Sequence, residues 1–195
     1  MSTTFEVYPA TRDLPTFAGL LEASLPLLHE RLARYGIDAR PEIEVRIQDC
    51  KTHHPVAFDF DDPLRWNDDT CAWFEIVGVA GGTDAYFEPM DDLTKEVWDE
   101  FLTEDHFKPY AAHARRCLAM DHYWSFRRSM GQPGIINLAY GILAGCLANL
   151  TDGLVTSDDS AWDWSLMPAT GPEFLDFYFV PERTTDLSSK EWANR

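Results

Sequence analysis

The chain has 195 residues, 45% of them hydrophobic and 13% aromatic, which supplies one full core and excludes general disorder. Its 33 acidic residues outweigh 16 lysines and arginines, a formal charge of −17 that excludes nucleic acid and anionic membrane as partners and favours a basic protein or cations. The acid is concentrated: positions 52–104 carry 14 carboxylates against Arg65 and Lys95, whereas Lys108, Arg115, Arg116, Arg127 and Arg128 meet only Asp121 across 106–131.

In chain order, Phe5 to Tyr8 reads as a short strand. Thr16 is placed to cap a helix whose apolar positions, from Phe17 through Leu20, Leu28 and Leu32 to Tyr35, recur at three-to-four spacing. Pro26 is expected to kink or split that helix, and Gly36 to end it in a left-handed cap. Glu42 to Gln48 alternates, with Ile43, Val45 and Ile47 on one side and Glu44 and Arg46 on the other, as a half-buried strand does. A polar connection over 51–70 leads to a hairpin of Ala72–Val79 and Thr83–Glu88 around Gly81-Gly82. Asp92 or Thr94 then caps a helix through Phe101, and Pro109 opens a long helix running to about Arg128.

From Ser129 to Thr151 the chain has no charge. Its strongly apolar part, 135–150, falls short of the roughly 20 residues a membrane span needs and contains Asn137 and Asn149. It reads as a buried helix in which Gly141 and Gly145 let neighbours approach closely. A strand at Leu154–Ser157, a helix from Thr170 and a strand-like run at Phe177–Val180 follow. The expected architecture is one α+β domain over 1–181, a mostly antiparallel sheet packed on helices that include the buried apolar one, with 182–195 as a polar tail.

Cys50, Cys71, Cys117 and Cys146 are scattered without a CxxC pair, which fits reduced thiols. The first residues show neither a basic nor an apolar leader region, and the expectation is a cytoplasmic protein. A nucleophile elbow, a P-loop and a dinucleotide fingerprint are absent, so no catalytic residue, metal set or cofactor is assigned.

Two acidic strings are the candidate partner-binding sites. Asp59, Asp61, Asp62, Asp68 and Asp69 crowd the 51–70 connection. A calcium loop starting at Asp59 would need Gly and Glu where Leu64 and Thr70 stand, so the cluster reads as a solvated loop or a docking face for a basic partner. Asp158, Asp159, Trp162 and Asp163 follow the Leu154–Ser157 strand, where acids and rings alternate as in partner surfaces. Asp-Asp-Ser/Thr strings also resemble the magnesium sites of ADP-ribosyl-glycohydrolases, which implies a metal-dependent hydrolase as the alternative. His106, His113 and Cys117 would share a helix face, a pattern with little specificity for zinc. The basic 106–131 stretch opposite the acidic middle also permits a homodimer.

The aromatic run His122-Tyr123-Trp124-Ser125-Phe126-Arg127-Arg128, read as helix, is followed by Gly131-Gln132-Pro133 and the small-residue apolar helix. Gly153-Leu154-Val155 then leads into Ser157-Asp158-Asp159 and Ala161-Trp162-Asp163. Across about 120–180 this texture resembles the C-terminal half of immunity proteins of bacterial polymorphic-toxin and type VI secretion systems. The resemblance implies a non-enzymatic acidic protein that occludes a basic cognate toxin.

Overall fold

The computed structural model of the chain describes residues 2–159 and 161–181. The expected 182–195 tail and Ser160 lie outside the described residues. The elements are β1 (Ser2–Tyr8), α1 (Phe17–Arg34), β2 (Ile43–Asp49), β3 (Pro55–Val56), β4 (Thr70–Ile76), β5 (Thr83–Pro89) and α2 (Asp92–Phe101). They continue with α3 (Ala111–Cys117), β6 (His122–Ser129), α4 (Gly134–Leu150), β7 (Leu154–Thr156), β8 (Ala169–Thr170) and α5 (Gly171–Phe177). The strands form one eight-stranded sheet in the order β3-β2-β4-β5-β6-β1-β7-β8, every neighbour antiparallel. This is the expected α+β architecture.

Helix α4 occupies the centre of one sheet face. It is buried almost all round, packs on β1, β6 and β7, and is flanked by α1 and α5. A Cβ on Gly141 would come within 2.1 Å of the Tyr178 ring, and one on Gly145 within 2.7 Å of Leu175. The small-residue pair therefore sets how near α5 comes to α4. None of the described helices is long and apolar enough to cross a membrane.

Arg31 of α1 joins the third helix to this layer. It is buried, and its guanidinium donates to the backbone carbonyls of Leu175, at 2.9 Å, and Tyr178. These are carbonyls the end of α5 leaves without helical partners, and a cation is favoured there by the helix dipole. Helix α1 begins as expected, with Thr16 Oγ1 accepting from Gly19 N at 3.0 Å. It ends on Gly36 at φ +76°, where Gly36 and Ile37 N–H reach back to Ala33 and Leu32.

Several expectations are corrected. Pro26 does not split α1, which runs unbroken through it. Asp91, rather than Asp92 or Thr94, caps α2, its carboxylate accepting from Thr94 N at 2.7 Å. The long helix from Pro109 to Arg128 is a short 3₁₀ turn and α3, which ends at Cys117. Residues 122–128, read as helical, form the central strand β6: His122, Trp124 and Phe126 are buried, and Tyr123, Ser125 and Arg127 point to the other face. Phe177–Val180 is the end of α5 and a turn with Phe179 at φ +44°, not a strand.

Candidate functional site

The sheet has two unlike faces because its strands alternate. Phe5, Val7, Phe74, Ala85, Trp124 and Phe126 join the core under α1, α4 and α5. Their alternates make the opposite face. Register places Glu6 and Tyr86 on either side of Ser125, Glu88 beside Tyr123, Arg127 beside Asp84, and Asp84 beside Trp73. A second small core, in which Trp98, Phe107 and Cys117 pack with Tyr8 and Leu154, covers the β1–β7 end of this face. No described helix packs across β4 and β5 there. The result is a polar and aromatic surface in mid-sheet.

Three carboxylates on it are half-buried. Glu6 accepts a hydrogen bond of 2.8 Å from Tyr8 Oη, and Tyr8 stacks on Tyr123 at 4.9 Å with Trp98 edge-on at 5.0 Å. Burial raises the Glu6 pKa to about 7; the nearby charges of Asp158, Asp159 and Glu88 push the same way, against the Tyr8 hydrogen bond. Burial also raises Glu88, helped by Asp68 and Asp91, and raises Asp84 despite the opposing Arg127 charge. Tyr123 is carried up to about 12 by burial and by the charges of Glu6, Glu88 and Asp91. Among the described residues no cation forms an ion pair with Glu6, Asp84 or Glu88. At the far side, Arg46 pairs with Glu75 at 3.1 Å over the Trp73 ring.

The sequence-derived candidates divide into two groups. Asp158, Asp159 and Asp68 sit near enough to this face for their charge to act on Glu6 and Glu88. Asp159 is tied by Ser157 Oγ at 3.1 Å, so the 158–159 turn is held at the end of β7. Asp59, Asp61 and Asp62 lie instead at the start of α1, on the helical side. There the Asp62 and Phe60 carbonyls accept from Phe17 and Ala18 N–H, while Asp59 and Asp62 side chains close their own turn. That loop does a structural job, filling orphan donors of the helix, and its negative charge suits a helix N-terminus.

Asp69 is exposed, 3.9 Å from Lys51. Asp163 caps the 3₁₀ turn Trp164–Leu166 through Ser165 N. Trp162 packs on Phe177, Tyr178 and Phe179, anchoring the acidic turn to the end of α5. No three His, Cys, Asp or Glu side chains among the described residues come together to hold a metal. His106 lies against Phe107 and Trp164, His113 meets the Asp152 carbonyl, and Cys117 is buried, so the three do not converge.

Sequence reasoning missed Glu6, Asp84, Tyr86, Glu88 and Tyr123. The period-two pattern of β5 and β6 carries the signal for most of them, and reading β6 as helix hid it. No family model, curated protein or solved structure matches the chain.

Proposed function

We propose that this is a non-enzymatic, cytoplasmic binding protein that neutralises a basic, secreted antibacterial toxin by docking the uncovered sheet face over its active site. The observation that carries the reading is that face: Glu6 on β1 and Asp84 and Glu88 on β5, either side of β6, half-buried without an ion-paired cation among the described residues and with Tyr86 and Tyr123 beside them. A carboxylate removed from water is held at a cost that a partner's lysine or arginine relieves. The rings beside it supply anchor area at low entropic cost. The chain's formal charge of −17 would steer a basic partner to it and speed association.

The step from basic partner to toxin rests on the resemblance of residues 120–180 to immunity proteins, of which one feature, a helix at 122–128, is absent. Co-expression with the product of the adjacent gene tests the reading. The expected result is a stoichiometric complex in which that product is basic and its toxicity is suppressed, with affinity that falls as salt rises. A neighbour that neither binds nor harms the cell contradicts the toxin assignment. Binding indifferent to salt contradicts the role of the acidic face.

A further inference from the structure

On the helical side of the sheet, where β5 and β6 meet at Pro89 and His122, lies a cavity of about 880 Å³ that partner docking does not use. Its size falls in the range that holds small organic molecules. Trp66, Phe87 and His122 line it, His122 stacked on Phe87 at 4.7 Å and Trp66 edge-on to Phe87 at 6.2 Å. Arg12 and Arg65 line it as well, with the Arg65 guanidinium held 5.6 Å over the Phe87 ring. Neither guanidinium makes a hydrogen bond or a close ion pair with a described residue, although Arg65 is near enough for its charge to act on Asp121.

Two carboxylates share the lining. Asp121 is engaged by His122 Nδ1 at 2.7 Å, and Asp68 stands at the rim. With the chain's overall charge they penalise each added negative charge on a ligand, so a polyphosphate is disfavoured relative to a monoanion. The Trp66 and His122 side chains are more than nine-tenths buried, and Trp66 Nε1 and His122 Nε2 lack hydrogen-bond partners among the described residues. Neither nitrogen is open to solvent, so a ligand would meet ring edges, the two guanidiniums and the Asp68 and Asp121 carboxylates.

We infer that this cavity binds a small aromatic monocarboxylate, its ring against the exposed part of Phe87 and its carboxylate held by Arg12 and Arg65. Guanidinium groups match a carboxylate with two parallel hydrogen bonds, and flat rings pair with flat rings.

Calorimetric titration of the full chain, without any partner, with indole-3-acetate, indole-3-acetamide and tryptamine tests this, the three probes sharing a ring and differing in charge. The acetate is expected to bind once per chain and about tenfold tighter than the amide. Arg12→Gln with Arg65→Gln should erase that preference while leaving the circular dichroism spectrum unchanged, since both side chains are exposed. Equal affinity for all three probes, a preference for tryptamine, or undiminished acetate binding by the double variant overturns the inference. So does an acetate that gives neither heat nor a saturation-transfer NMR signal.

Discussion

The hydroxyl of Tyr8 donates a 2.8 Å hydrogen bond to the carboxylate of Glu6, two positions back on the same strand and the same face of the sheet. Tyr8 is itself held by Trp98 of α2 and by Tyr123 of β6. The bond therefore ties the most strongly shifted carboxylate of the polar face to the small core beneath α2 and α3.

Glu6 makes folding stability depend on pH in a window set by its shift. Its pKa is about 7 in the fold against an ordinary 4.5, so between those values the folded state holds more protons than the unfolded. The group's contribution is complete below about pH 4.5 and is lost as pH rises to about 7. Glu6→Gln stays neutral and should be more stable than the parent by about 1–3 kcal/mol above pH 7, with a smaller difference at pH 5. Urea unfolding at the two pH values measures this, and a difference independent of pH contradicts it.

The same carboxylate predicts the pH dependence of partner binding. A basic partner favours ionised Glu6, so affinity should rise between pH 5.5 and pH 8, with a proton released on binding at the lower value. In Glu6→Gln that rise should flatten. Calorimetry in two buffers of different ionisation heat reads the proton directly.

Gly141→Ala places a methyl group on the Tyr178 ring, where the nearest ring carbon would be 2.1 Å away. The gain in helix propensity is outweighed by overpacking between α4 and α5, and the expected loss is about 1–3 kcal/mol in urea unfolding. Unchanged or raised stability would mean that α5 docks less tightly than described.

Arg31→Ala strips the α5 end of a buried donor to the Leu175 and Tyr178 carbonyls. The expected cost is about 2–4 kcal/mol, with hydrogen exchange quickening first in α5. Tyr35, whose hydroxyl donates to Phe179 O at 3.1 Å, keeps part of this junction in place.

What was legible in the sequence follows from how local each signal is. The clean alternation of Glu42–Gln48 and the uniform apolarity of 135–150 each imply their environment without reference to distant residues, and both elements form as read. Thr170 with Glu173 makes a reciprocal cap within four residues, which marks the start of α5. His122–Arg128 failed because its outward positions include Tyr123 and its inward ones His122, so a period of two is blurred by ring residues on both sides. The role of Glu6 was out of reach for a different reason. Its burial is created by β6 and β7, more than a hundred residues away in the chain, and its shift is increased by the charge of acids that arrive with the 158–159 turn. The density of aspartates at 59–62 drew attention to a loop whose work is to finish the start of α1.

The most direct test of the docking face is a capture experiment with the adjacent gene product and three forms of the chain at matched concentration. These are the parent, a face variant (Glu88→Lys, Asp158→Lys, Asp159→Lys) and a loop variant (Asp59→Lys, Asp61→Lys, Asp62→Lys). Each variant reverses three charges, so net charge is equal and only position differs. The face variant is expected to lose the partner, while the loop variant retains it with at most a stability defect. Loss in the loop variant with retention in the face variant, or equal loss in both, would contradict docking through this face.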